Sequence, residues 1–246
     1  MNIPQKIHYV WLGKGQKTPL IIKCIDSWRR QLPNYEIKEW NENNFDLNIH
    51  PWIVEMYAQK KYAFASDLVR LYVLKNEGGI YLDTDIEIHK NLDCFLHTKM
   101  FMGFMYDCAL GTSILGTVAN YYVIDDLINI YDSLINQSPL VNNTIFTKYF
   151  INAFPEFKLG NKKQIIGDNI HIFPKEYFEV PTFSNKMGYA RHHATRLWDG
   201  GNARRSPMKR ILNTVIGDVL YYKLVQYKCL KNNEFYFLYK QHTTKQ

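Results

Sequence analysis

The chain has 246 residues, 46% apolar and 15% aromatic, with 30 basic against 23 acidic side chains. That composition excludes a disordered tail, a collagen-like fibre and a disulfide-stapled miniprotein, and makes one domain of roughly 200–250 residues the default. The net charge of +7 is unevenly placed: residues 200–246 hold nine basic and two acidic residues, whereas residues 1–199 hold 21 of each sign.

In chain order, Lys6 to Leu12 (KIHYVWL) is β-branched and aromatic and reads as a buried strand ended by Gly13 and Gly15. Pro19 to Leu32 sets Ile21, Ile22, Ile25 and Trp28 at helical spacing, with Pro33-Asn34 as the stop. Tyr35 to Trp40 alternates as a second strand, Pro51 to Lys60 is a short helix, and Ala63 to Asn76 is a helix closed by Gly78-Gly79. Ile80 to Ile88 (IYLDTDIEI) reads as one strand interrupted by two carboxylates. Met100 to Met105 and Ser113 to Leu115 are further strands, followed by helices at Tyr121 to Ile135 and Thr144 to Ala153 and a strand at Ile170 to Phe173. In Pro207 to Lys231, Ile211, Val215, Val219 and Tyr222 fall on one helical stripe with the basic residues off it. Strand and helix alternating from the N-terminus predict an α/β fold with a largely parallel sheet, with residues 1–199 as the main domain and 200–246 as a basic helical extension.

Cys24, Cys94, Cys108 and Cys229 lack the spacing of a zinc site or a CxxC pair, which favours reduced thiols in a cytoplasmic protein. No signal peptide is read before Ile3, and no apolar run approaches the ~18 residues of a membrane-spanning helix.

The strongest chemical signal is Gly78-Gly79-Ile80-Tyr81-Leu82-Asp83-Thr84-Asp85. Two aspartates at i and i+2 point to the same side of an extended chain, and at the carboxyl end of a buried strand they face the crevice where α/β sheets bind ligands. Hard paired oxygens suit Mg²⁺ or Mn²⁺, which takes one or two carboxylates plus phosphate oxygens. The bland alternative is a solvated acidic turn. Asp67 and Arg70, at i and i+3 of one helix, read either as an intrahelical ion pair or as a polar pair facing the same crevice. Trp11, at the end of the first strand, is either core or a platform for a nucleobase. Of His192 and His193, adjacent and therefore projecting differently, at most one is a metal ligand.

These pieces together resemble glycosyltransferase family 32, the capsular and lipooligosaccharide sugar transferases related to yeast Golgi mannosyltransferases, and more distantly the catalytic domain of the large clostridial glucosylating toxins. The matching residues are Ile3-Pro4, Lys6 to Gly13, Cys24 to Trp28, Tyr35 to Asn41, Lys61 to Tyr72 and Gly78 to Asp85, with weaker matches at Ile172 to Phe178 and Tyr189 to His193. The resemblance implies a single GT-A (Rossmann-like) domain, a nucleoside-diphosphate sugar donor with a UDP-sugar favoured, Mn²⁺ or Mg²⁺, and transfer with retention of anomeric configuration. It implies that Val10, Trp11 and Trp198 bind the donor, Trp11 stacking on the base, and that Asp67 and Arg70 hold sugar and phosphate. Asp83 then faces ribose, sugar and metal, Asp85 ligates the metal, and His192, ahead of His193, supplies the C-terminal metal ligand. Asp83, Asp85 and Arg70 are the expected catalytic set. The family carries Gly-Ser before the last tryptophan; here Arg196-Leu197 stands there, a departure at the phosphate contacts that offers Arg196 as a substitute cation.

The expected activity is metal-dependent transfer of a hexose or N-acetylhexosamine to a glycan or lipid-linked glycan in surface polysaccharide or lipooligosaccharide synthesis. The alternatives are a nucleotide-sugar-binding protein without transfer activity and a nucleotide-sugar hydrolase. The C-terminal charge shows no helix-turn-helix, zinc or RNA-binding pattern, so nucleic acid is not an expected partner. Basic residues from 204 to 231 around an apolar stripe suit an anionic membrane surface, at the inner face of the cell membrane, or simply a solvated helix face.

Overall fold

The computed structural model describes residues 2–194 and 214–244. β1 (Lys6–Val10) buries four of its five residues, as its β-branched and aromatic composition requires. α1 (Pro19–Gln31) begins where the Thr18 hydroxyl accepts the Ile21 amide and a proline occupies the first turn; Ile21, Cys24, Ile25 and Trp28 face inward, and Arg29 and Arg30 lie at the dipole's negative end. β2 (Glu36–Trp40) follows, then α2 (Pro51–Ala58), capped by the His50 ring through the Trp52 amide. α3 (Tyr62–Glu77) stops at Gly78, whose φ of 62° suits glycine.

The next segment departs from the expected single strand. β3 (Gly79–Leu82) and β4 (Ile86–Ile88) are separate strands in different sheets, joined by a turn in which the Ile86 amide donates to the Asp83 carbonyl at 3.0 Å. The physical reason is the pair of carboxylates: their charge cannot continue through a sheet buried on both faces, so the chain leaves the sheet at Asp83.

β5 (Met100–Tyr106) and β6 (Ala109–Thr117) form a buried hairpin, followed by α4 (Tyr122–Asp132), α5 (Asn142–Ala153), β7 (Gln164–Ile166), β8 (Ile170–Phe173) and β9 (Ala190–His192). α6 (Asp218–Lys231) and α7 (Tyr236–Thr244) close the described chain. Of the segment Pro207 to Lys231 read as one helical stripe, residues 207–213 lie outside the described residues, and the remainder is broken at Gly217, where φ is +78°. β7 and β9, three residues each, are too short for a period to show in sequence, and α7 lacks an apolar stripe.

The main sheet has the order β2-β1-β3-β6-β5-β8-β7. β1, β2, β3, β5 and β8 run one way and β6 and β7 against them, so the sheet is mixed but mostly parallel. A smaller ribbon pairs β4 with β9, setting Ile86 opposite His192. One contiguous apolar core runs through the main sheet and takes in Leu230 of α6 and Phe235, so the C-terminal helices are part of the packed body. Among the described residues, no helix is long and apolar enough to cross a membrane.

Candidate active site

β1 and β3 are parallel neighbours with His8 level with Tyr81, which brings Val10–Trp11 and Leu82–Asp83 out at the same carboxyl end. Asp83 is pinned there by its amide, which donates to the Ser113 carbonyl of β6 at 2.8 Å. The strand after the turn is clasped by α1. The Trp28 indole N–H donates to the Ile86 carbonyl at 2.7 Å, and the Ile88 amide donates to the Ser27 hydroxyl at 2.9 Å. The Ser27-Trp28 pair therefore sets the position of the Asp83–Asp85 turn from outside the turn itself.

Arg70 of α3 lies under this turn, 4% exposed. Its guanidinium donates to the Asp67 carboxylate at 2.5 Å and the Thr112 carbonyl at 2.8 Å, stands 3.3 Å from the Asp83 carboxylate, and covers the Tyr81 ring at 4.3 Å. Spacing left two readings of Asp67 and Arg70 open. The structure makes them an intrahelical pair that also reaches the Asp83–Asp85 turn, because Arg70 bridges to Asp83. Asn142 of α5 donates to Asp67 at 3.2 Å and accepts from the Tyr131 hydroxyl at 3.1 Å. Burial lifts the Asp67 carboxyl to about 7, with Arg70 opposing the rise and the Asp83 charge adding to it. Burial raises Asp83 as well, against the pull of Arg70 and His192.

Asp85 faces the β4–β9 ribbon. Its Oδ1 lies 3.3 Å from His192 Nε2, while His192 Nδ1 lies 2.7 Å from the Glu179 carboxylate. Glu179 is itself buried and accepts a hydrogen bond from the Ser113 hydroxyl. Burial disfavours charge on His192, but the Asp85 and Glu179 carboxylates on its two sides outweigh that and raise it well above the ordinary imidazole range. His193 turns away and donates to Glu87 at 2.9 Å; burial dominates there and lowers it.

Trp11 is half-buried, its indole N–H donating to the Gly15 carbonyl at 2.8 Å, with the Lys17 ammonium 5.2 Å above the ring. Val10 is buried. Trp198 and Arg196 lie outside the described residues. His8, which sits inside the same KIHYVW run, is a core residue: buried, it donates from Nε2 to the Gly78 carbonyl at 2.9 Å and accepts the Trp40 indole N–H at 3.1 Å.

Among the described residues, no three His, Cys, Asp or Glu side chains form a cage for a metal ion. A divalent cation of the Mg²⁺ type does not need one, since one or two protein ligands plus substrate phosphates and water complete its shell. Asp85 and His192 fit that donor set. Adjacent ligands of an octahedral ion with ~2.1 Å bonds lie about 3 Å apart, close to the 3.3 Å between Oδ1 and Nε2. Glu179 behind His192 has the form of the carboxylate–histidine pairs that orient metal-bound imidazoles.

Glu179, like the supporting Ser27, Thr112, Ser113 and Asn142, is not marked as a site residue by the sequence. Its signal was faint but present, a lone carboxylate between Phe178 and Val180 in an apolar run, where burial demands a partner.

The family model for the glycosyltransferase sugar-binding region containing a DXD motif matches residues 19–102, the stretch that supplies Asp67, Arg70, Asp83 and Asp85. Over that stretch the chain is similar to the DXD glycosyltransferases. An uncharacterised glycosyltransferase of Acanthamoeba polyphaga mimivirus is 28% identical over 188 residues, 70% of this chain and 73% of that protein. Inositol phosphoceramide mannosyltransferase 3 of Schizosaccharomyces pombe is 29% identical over 119 residues, 47% of this chain. The match spans only 30% of that yeast protein's own length. Among solved structures, the PaToxG glycosyltransferase superposes with a TM-score of 0.53 at 20% identity, over 63% of this chain and 70% of that one, a likeness of fold. The chain thus presents its two aspartates at the carboxyl end of β3 in a GT-A-like fold.

Proposed function

We propose that this glycosyltransferase moves a hexose or N-acetylhexosamine from a nucleoside-diphosphate sugar, a UDP-sugar by preference, to a glycan acceptor with retention of configuration. The observation that carries the reading is the meeting, at one end of β1 and β3, of a buried cation held by two aspartates with a third aspartate facing a histidine. Asp85 and His192 would hold Mn²⁺ or Mg²⁺, with Asp83 beside them. Bound there, the ion would supply positive charge to the diphosphate as its negative charge grows.

Arg70 adds a fixed, water-shielded positive charge at the same place, and its three anchors mean that no reorganisation is needed when the bond breaks. Trp11 offers a stacking face for the base, while Asp67 and Asp83 accept from sugar hydroxyls. The anomeric carbon–oxygen bond to the diphosphate breaks as the acceptor oxygen bonds to the same carbon from the same side, and the acceptor proton passes to the departing phosphate oxygen. The acceptor we propose is a lipid-linked or capsular glycan, met at the inner face of the cell membrane by a cytoplasmic enzyme.

Turnover of a panel of UDP- and GDP-sugars with Mn²⁺, with and without a glycan acceptor, tests the proposal. Transfer that needs the acceptor supports it. Donor cleavage indifferent to acceptor makes the protein a hydrolase, and donor binding without turnover makes it a binding protein. Asp85→Asn is expected to fold normally and to lose two or more orders of magnitude of transfer, with its metal dependence flattened; normal transfer by that variant means that Asp85 is not a metal ligand.

A further inference from the structure

Of the expected apolar stripe, Ile211 lies outside the described residues, Val215 is exposed and Tyr222 is buried, so within α6 it is not the open face. α6 is anchored to the body by one side: Tyr221, Tyr222 and Leu230 are buried, and Asp218 pairs with Arg191 of β9 at 2.7 Å. Beyond its end, Glu234 accepts from Thr144 at 2.7 Å and pairs with Lys148 at 3.1 Å, both on α5. Both acidic residues of this segment are thereby committed to the body.

The outward side, at positions 220, 223, 224, 227, 228 and 231, reads Leu, Lys, Leu, Tyr, Lys, Lys. Leu220, Leu224 and Tyr227 are 49%, 57% and 59% exposed, one turn apart along a single line. Lys223 flanks that line on one side and Lys228 on the other, and the Lys231 ammonium stands 4.5 Å over the Tyr227 ring. Past the turn, Phe237 of α7 is 83% exposed, one helical turn from the exposed Lys240. No acidic side chain belongs to this outward line of α6.

We infer that the outward face of α6 lies on an anionic lipid bilayer, with Leu220, Leu224 and Tyr227 entering the headgroup–acyl boundary and Lys223, Lys228 and Lys231 meeting the phosphates. An apolar line rimmed by lysines on a helix fixed to a folded body is the pattern of an interfacial helix, and the lysine stems reach outward while their charges stay at headgroup level. A second copy of the chain fits less well. An isologous pairing would bring the same lysines together, and a line of three apolar side chains falls short of the ~800 Å² per partner of a stable interface. Nucleic acid would meet Leu220, Leu224 and Tyr227 at the centre of the contact, where phosphates gain nothing. The inference rests on the proposal that the acceptor is membrane-borne, and it names the surface that would carry the enzyme there.

The test is flotation of the full chain with phosphatidylcholine vesicles, with and without phosphatidylglycerol, at low and high salt. The wild-type chain is expected to float only with phosphatidylglycerol present and to release as salt rises. Leu224→Glu should abolish flotation, and Lys223→Gln and Lys228→Gln should each weaken binding about fivefold. All three positions are exposed, so thermal melting should be unchanged, and transfer to a soluble acceptor should stay at the wild-type rate. The inference is overturned if the wild-type chain ignores anionic vesicles, or if all three variants float like it. It is equally overturned if neutralising Arg204, Arg205, Lys209 and Arg210 alone removes binding, or if sedimentation shows a dimer that Leu224→Glu dissolves. A chain that transfers sugar but does not float keeps the proposed reaction and loses this surface; one that floats but never transfers does the reverse.

Discussion

Around Arg70, three acceptors on three separate elements converge on one guanidinium, a load that only a planar fork can carry at once. The charge balance at this point is tight, since burial lifts both Asp67 and Asp83, and Arg70 is the cation that opposes the rise in both. His192 is the second such point, held between Asp85 and Glu179. If Glu179 serves to orient the imidazole, removing its carboxylate should cost metal affinity without touching the ligand atoms. Glu179→Ala is expected to weaken Mn²⁺ binding about 10–100-fold by titration calorimetry. Glu179→Gln keeps an oxygen that can accept the Nδ1 proton and should recover most of that loss. Equal affinity in the alanine variant would leave Glu179 with a packing role only. The Asp67–Arg70 pair is readable from helical spacing and the two aspartates from the end of an apolar run, whereas that Asp83 turns to Arg70 and Asp85 to His192 is not. Nor is Glu179, because its meaning depends on His192 and Ser113, which reach it from β9 and β6.

The elements that position the turn do more than their own sequences announce. α1 reads as an ordinary amphipathic helix, yet its Ser27 and Trp28 hold β4 by two buried hydrogen bonds. Trp28→Phe conserves most of the packing but leaves the Ile86 carbonyl without its donor, at a cost of about 1–3 kcal/mol. At about 2–4 °C per kcal/mol for a chain of this size, the melting temperature should fall measurably. Because Ile86 follows the turn directly, donor turnover should fall further than the stability loss explains at a temperature where the variant is fully folded. Turnover equal to that of the wild-type enzyme at that temperature would show that the clasp serves stability alone. The β3–β4 break belongs to the same scale. The two aspartates end the strand, and β9 supplies the partner that β4 takes up after the turn, which the sequence of this segment does not show.

For the molecule as a whole, acid sensitivity follows from His8. Buried between Gly78 and Trp40, it is lowered from 6.5 to about 4, chiefly by burial, with the Gly78 carbonyl opposing. Between these values the unfolded chain takes up a proton that the native His8 refuses, so the contribution of His8 is constant above pH 6.5 and is lost as pH drops toward 4. The slope from this one group approaches about 1.4 kcal/mol per pH unit. His8→Gln, which keeps a donor and an acceptor, is expected to be somewhat less stable at pH 7.5 yet to lose less stability on acidification. Denaturant melts across pH 4–7.5 measure the difference, and parallel curves for the two proteins would remove His8 from the account. The C-terminal charge also belongs to this scale. Among the described residues of the C-terminal segment, the two carboxylates are paired with the body, and Lys223, Lys228 and Lys231 lie on the exposed side of α6.

By itself the sequence determined what depends on local spacing: the alternation of strand and helix, the aspartates two apart at a strand end, the Asp67–Arg70 pair one helical turn apart, and the segment that holds the excess charge. These follow from backbone geometry, which fixes side-chain direction over a few residues. Tertiary structure alone decided which distant groups meet: His192 with Asp85 and Glu179, Trp28 with Ile86, Arg70 with Thr112 of β6, and His193 with Glu87 instead of the turn. It also decided which side of α6 is buried, because a helix with apolar residues on two faces takes its orientation from whichever face finds a core to enter.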